Sequence, residues 1–344
     1  MKNKLLTLIA SLLFLAGAAI FLYPYCMDWY YEYQTKRIIT GYKNELEGIS
    51  KQMANGTASS SDQATNQTQE NITDSISEST EKLDKLYDEM ALYNERIYEN
   101  NQKDLTDPFS YESASFDLTE YGLADNLFGY LTISAMDLEL PIYLGATNEN
   151  LAKGAVHLGL TSMPIGGINT NSVLAAHRGY RGIPMFRDIQ KLKTGDMVTI
   201  TTPFDTLNYE VVKTTIILPE EIDKVLIQPG RDMLTLFTCH PYRQNSHRYV
   251  VYCERTYSSE NPQGQAVDSE IVDSNVVGSK EETSTPQAEN STGNLYSSNG
   301  KDMENGISQS EKQILLDKYV PIVGVAILFI LFIICLIIPE KKKS

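Results

Sequence analysis

The sequence predicts a mainly β domain, a barrel or a sandwich, preceded by a helical hairpin and carried between two membrane-spanning ends. Three observations predict it. Short strand-like runs punctuated by Gly, Pro, Asn and Asp fill the middle of the chain. Charge-free apolar runs lie near both ends. Two stretches with helical periodicity lie between the first apolar run and the strands. At 344 residues the chain has room for one or two domains with such appendages.

The first apolar run is Leu5 to Tyr23, preceded by Lys2 and Lys4. At 1.5 Å per residue it spans roughly 28 Å, the thickness of a bilayer core. Residues 1–25 are therefore read as a short cytoplasmic start and a membrane anchor or signal, with Ala16-Gly17-Ala18 as a conceivable cleavage point. The second run, Tyr319 to Pro339, is followed at once by Lys341, Lys342 and Lys343. Residues 318–339 are read as a transmembrane helix and 340–344 as a basic tail. Basic flanks mark the cytoplasmic side, so both termini are expected inside and the rest outside.

The net charge of −15 excludes a general nucleic-acid binder, which needs a basic face to neutralise phosphates. Setting aside the five lysines and one glutamate at the ends leaves 24 basic against 43 acidic groups, a net −19 for the exported part. Such a surface is soluble and does not cling to anionic lipid heads. Four cysteines are too few for a disulfide scaffold, and Cys26 and Cys335 belong to the apolar ends.

Residues 26–104 are read as the hairpin. Ile38, Tyr42, Leu46 and Ile49 mark its first helix, and Leu83, Leu86, Tyr87, Met90, Tyr93 and Ile97 its second. Between them, 54–80 is rich in Ser, Thr, Asn and Gln and is expected to be a disordered insertion, because it buries too little to offset its ordering entropy. Strands are expected at Leu127–Ile133, Leu138–Leu144, Ser172–Ala176, Met197–Thr201, Tyr209–Leu218, Met233–Cys239 and Arg248–Cys253. A short helix is expected at Pro184–Leu192. The acidic, polar stretch 258–317 reads as a disordered linker to the second span.

The chemistry concentrates between His177 and Arg248. His177 ends an apolar strand, where loops begin and sites form. Cys239 ends the strand TLFTC, and Arg248 opens the next one. Cys and His together make a nucleophile and an acid/base. An Arg beside them suits a substrate carbonyl or a tetrahedral oxyanion. His240 is a rival base, but neighbours in an extended chain face opposite ways. Cys253 is offset from Arg248 by an odd number and faces away from it. His157 and His247 have no evident partner. The histidines and cysteines show no paired ligand spacing, so neither metal nor cofactor is expected.

Thr235-Leu236-Phe237-Thr238-Cys239 resembles the TLxTC signature of sortases, with Arg248 nine residues on and Ala175-Ala176-His177-Arg178 upstream. The likeness covers roughly Asp117 to Thr256. It implies a closed sortase-type β-barrel over 117–257, with His177, Cys239 and Arg248 as the catalytic set. Ala91-Leu92-Tyr93-Asn94, the second span and Asp107-Pro108-Phe109 are similar to class C sortases, the pilus-polymerising kind. In that class an Asp-Pro-aromatic motif forms a lid. The resemblance thus implies a lid over 105–116, with Asp107 facing Arg248, Pro108 stiffening the turn and Phe109 covering Cys239. The implied reaction cleaves an LPxTG-like signal between Thr and Gly and passes the acyl group to a pilin lysine. Implied partners are pilins or surface proteins bearing that signal. Anchoring to peptidoglycan and a non-enzymatic tethered module are the alternatives. His240-Pro241-Tyr242-Arg243 departs from the class pattern, which has a small residue and then Pro-Tyr-Gly.

Overall fold

The computed structural model describes residues 2–58, 66–103, 105, 116–123, 126–180, 183–257 and 297–337. Helix α1 (Lys2–Ala58) bends by 41° between Tyr23 and Tyr25, where Pro24 has no N–H to donate to the helical ladder. Helix α2 is Asn66–Glu99. The strands follow as β1 (Leu127–Ile133), β2 (Leu138–Leu144), β3 (Ala155–His157), β4 (Thr170–Ala175), β5 (Met197–Thr201), β6 (Thr206–Ile217), β7 (Asp232–His240) and β8 (His247–Arg255), with α3 (Asn148–Lys153) between β2 and β3. Helix α4 (Ser297–Ile337) follows.

The strands close into a barrel in the order β1-β2-β3-β4-β7-β8-β6-β5. Two pairings are parallel, β2 with β3 and β4 with β7. Closure leaves no strand edge to pair with another molecule. The interior draws on every strand: Leu131, Leu140, Ala155, Leu174, Ile200, Tyr209, Leu236 and Val251 are all buried there. Strand β3 escapes the sequence reading because three residues show no alternation.

Both N-terminal helices spend their apolar stripes on the barrel. From α1, Ile39 and Tyr42 are buried, and the Tyr42 hydroxyl donates to the Phe128 carbonyl at 2.8 Å. From α2, Leu83, Leu86 and Met90 pack with Leu118, Phe128, Leu144 and Met163. Asn94 ties the same helix to the backbone of Met163, accepting from its N–H at 2.6 Å. Met90 is fully buried, so Met90→Ala is expected to cost about 2–5 kcal/mol by cavity formation. Denaturant unfolding of the full chain measures this, and a loss below 1 kcal/mol would mean that α2 is not docked.

Several expectations are corrected. The polar segment expected to be disordered over 54–80 is helical at 54–58 and again from Asn66 onward, and its residues 59–65 lie outside the described residues. The docked part of α2 supplies the nucleus, and each further residue then adds a helical hydrogen bond at little extra entropy. Likewise 297–317, expected as linker, is the first part of α4. The expected helix at 184–192 is only a 3-10 turn at Ile189–Lys191, because Met185 sits at φ 44 and breaks the helical run. The lid motif Asp107-Pro108-Phe109 and residues 258–296 lie outside the described residues. Among the described residues one segment, Gln309–Ile330, is long and apolar enough to cross a membrane, and the bent pair Ser11–Tyr23 with Tyr25–Gly48 qualifies together.

Candidate active site

Strand alternation sorts the side chains near the C-terminal end of β7. Leu234 and Leu236 of β7, Leu174 of β4 and Tyr249, Val251 and Cys253 of β8 point into the barrel. Met233 and Phe237, Val173 and Ala175, and Val250 and Tyr252 form the outer cluster, with Leu151 of α3 and Val225. By the same alternation Cys239 and Arg248 belong to the outer face.

Register then brings them level. Cys239 is the direct antiparallel partner of Arg248. Strand β4 runs parallel to β7 with Ala175 beside Phe237. That pair closes the ladder. The Ala176 N–H donates to the Phe237 carbonyl at 3.2 Å, and the Thr238 hydroxyl donates to the Ala176 carbonyl at 2.7 Å. His177 stands two residues past Ala175, as Cys239 stands two residues past its partner Phe237. The order across the sheet is β4, β7, β8, so Cys239 and Arg248 form one row on neighbouring strands, and the chain that leads to His177 leaves the strand on the other side of β7.

The surroundings set the electrostatics. Cys239 and Arg248 are buried, and His177 is half-buried. The His177 ring stacks on Tyr180 at 4.7 Å between centroids, and its carbonyl accepts from the Phe186 N–H at 3.0 Å. Burial holds its pKa below the ordinary 6.5, so the imidazole is neutral near pH 7. Arg248 Nη1 donates to the carbonyls of Asn245 and His247 at 2.9 and 3.0 Å, which aims the guanidinium along the β7–β8 hairpin.

His240 faces the barrel interior, as its adjacency to Cys239 requires. Its Nδ1 accepts from Arg178 Nη1, and Arg178 Nη2 donates to Gln190 Oε1 at 2.5 Å. Arg178 also lies over the Tyr249 ring at 5.6 Å. Burial, with Arg178 and then His247, pushes the His240 pKa down to about 3, and burial pulls Arg178 to about 10. A buried cation on the inner face behind Cys239 is a feature the sequence reading missed. Its signal was present: if His177 faces outward, Arg178 faces inward. His157 is buried too, its Nε2 held by the Ser162 carbonyl at 2.9 Å, and burial lowers its pKa to about 4. Cys253 is fully buried in the barrel, and burial raises its thiol pKa. Among the described residues no three His, Cys, Asp or Glu side chains gather as a metal site.

The three depressed histidines predict an acid-labile fold. The unfolded chain binds protons at about 6.5 and the folded chain only near 3–4 for His240 and His157. This stability is present above pH 6.5 and is lost as pH falls through 4 and then 3. The thermal midpoint should drop between pH 7 and 4, and His240→Gln should flatten part of that slope. A slope unchanged in the variant would refute His240's share.

The sortase-domain family model matches residues 131–256, which take in all but the first part of the barrel and the whole row. Sortase A of Bacillus anthracis is 29% identical over 158 residues, covering 45% of this chain and 72% of that protein. The chain belongs to the sortase family. Sortase D of Bacillus subtilis is 30% identical over 130 residues, covering 37% of this sortase and 63% of that protein. Among solved structures, sortase C1 of group B Streptococcus pilus island 1 is 30% identical, covering 55% of this chain and 87% of that one at a TM-score of 0.47. As a sortase, the protein is a cysteine transpeptidase.

Proposed function

We propose that this sortase is a membrane-anchored, pilus-polymerising enzyme of class C, with its catalytic barrel outside and both termini cytoplasmic. It cleaves an LPxTG-like signal between Thr and Gly and joins the acyl group to a lysine amine of a pilin. The reading is supported by the direct pairing of Cys239 with Arg248, beside a parallel β4–β7 pairing that ends two residues before His177 and two before Cys239.

The Cys239 thiol attacks the threonine carbonyl carbon while neutral His177 takes its proton. Arg248 stabilises the oxyanion of the tetrahedral intermediate. Collapse breaks the C–N bond, and the imidazolium returns the proton to the departing glycine amine. A thioester to Cys239 remains. A lysine amine then attacks it and gives up a proton to His177. An isopeptide bond forms and the thiol is regenerated. Basic flanks at both ends support the topology, and Asp107-Pro108-Phe109 with the second span supports the class.

Incubation of the full chain in detergent with a pilin and an LPxTG-like peptide, followed by mass spectrometry, tests the reading. A pilin–peptide adduct at a lysine, with loss of the residues after Thr, is expected. Transfer only to peptidoglycan amines would replace pilus polymerisation with wall anchoring. The lid belongs to the same proposal. Pro108 biases Asp107 toward extended backbone and so holds the carboxylate and ring in a defined relation. Asp107→Ala with Phe109→Ala should speed alkylation of Cys239, because a closed lid leaves only part of the population competent. Equal alkylation rates in a folded double variant would remove the lid from the proposal.

A further inference from the structure

The loop after Cys239 is held by the helix that follows the barrel. The Tyr242 N–H donates to Ser310 Oγ at 3.1 Å, and the Tyr242 hydroxyl donates to Asp317 Oδ2 at 3.1 Å. Ser310 and Asp317 are seven residues apart on α4 and share a face. Arg243 pairs with the same Asp317 Oδ2 at 2.9 Å, and its guanidinium lies 5.6 Å from the Tyr242 ring. Gln313 donates to the other Asp317 oxygen at 3.3 Å.

Two further observations concern the same contact. Arg243 sits at φ 68, a left-handed conformation that disfavours a side chain. A long cation stands there, and its charge meets Asp317. The far side of the Tyr242 ring meets the loop that carries His177. A Cβ on Gly179 would stand 3.3 Å from Tyr242 Cε2, and Gly179 itself is at φ 86. Tyr242 therefore touches three elements at once: its own loop after Cys239, the loop after His177, and α4. A cavity of about 700 Å³ is lined by Tyr242, Arg243 and Asp317 together with Tyr25 and Asp28 of α1.

We propose that Tyr242 and Asp317 form a latch through which the C-terminal helix positions the Cys239 loop against the His177 loop. Asp317 is a positioning residue: it acts through Tyr242 and Arg243. The membrane helix thereby sets the alignment of the site as well as its location. The proposal rests on the reading of Cys239 and His177 as the reacting pair. Small misplacements of such pairs cost large factors in rate, so even a weak latch is visible in kcat.

The test uses the full chain in lipid nanodiscs, with Asp317→Ala, Tyr242→Phe and Asp317→Glu. Two quantities are read: hydrogen exchange of backbone amides at 242–246, and kcat and KM for an LPxTG-like peptide. Asp317→Ala and Tyr242→Phe should each raise exchange and lower kcat by roughly three- to tenfold, with KM changed less than about twofold. Asp317→Glu should recover most of both. The double variant should be no worse than the poorer single one, because both remove the same contact. Tyr242→Phe keeps the ring and its packing, so it decides the matter if Asp317→Ala misfolds. Unchanged exchange in the folded variants would overturn the latch, whatever Cys239 does. Faster exchange with unchanged kcat would overturn its positioning role. A wild-type chain without transpeptidation would instead sink the nucleophile assignment, while exchange still reads the latch.

Discussion

Cys239→Ala is expected to abolish both the thioacyl intermediate and the product, a loss of about 10⁴-fold or more, while Cys253→Ala keeps both. The two thiols lie on neighbouring strands but on opposite faces of the sheet. Cys253 is wholly enclosed in the barrel among Leu234, Tyr209 and Val251, and burial raises its pKa, so it stays an inert thiol. Cys239 stands in the outer row opposite Arg248. Intact-mass measurement of the full chain after exposure to an LPxTG-like peptide reads the acyl-enzyme directly. Acyl-enzyme in Cys239→Ala, or its loss in Cys253→Ala alone, would reverse the assignment.

Arg248→Ala is expected to lower kcat and kcat/KM together by about 10²–10³-fold, the usual cost of removing an oxyanion donor. The buried guanidinium is aimed by the carbonyls of Asn245 and His247, so its direction is set before substrate arrives. Arg248→Lys keeps the charge but not the planar fork, and should fall between the wild type and alanine. Steady-state kinetics with a fluorogenic peptide separates the possibilities. A rise in KM with kcat unchanged would make Arg248 a ground-state binding group.

Much of this protein was legible without coordinates. Alternation in TLFTCH already placed Cys239 and His240 on opposite faces, since the pleat has a period of two. The odd offset from Arg248 to Cys253 turned that thiol away from Arg248 by the same rule, and the closed barrel then decided that it is core. Seven of the eight strands match in position because turn-forming Gly, Pro, Asn and Asp punctuate the chain between them. The apolar ends announced themselves by length and freedom from charge.

What the sequence by itself determined is local: strand periods, turn positions, apolar runs, and the residue types able to do acyl-transfer chemistry. Tertiary structure alone decided the rest. The parallel pairing of β4 with β7 aligns Ala175, two residues before His177, with Phe237, two before Cys239, across some sixty residues of chain, and no local pattern encodes which distant strand becomes a neighbour. The helical state of 66–80 depends on the docking of Leu83, Leu86 and Met90, because cooperative propagation overrides weak composition once a nucleus is held. Arg178 is a buried cation only because closing the barrel puts His240, Gln190 and Tyr249 around it. The meeting of Tyr242 with Asp317, seventy-five positions apart, follows from where α4 lies against the barrel. Each is a contact between segments far apart in sequence, and such contacts are set by packing and hydrogen bonding over the whole fold.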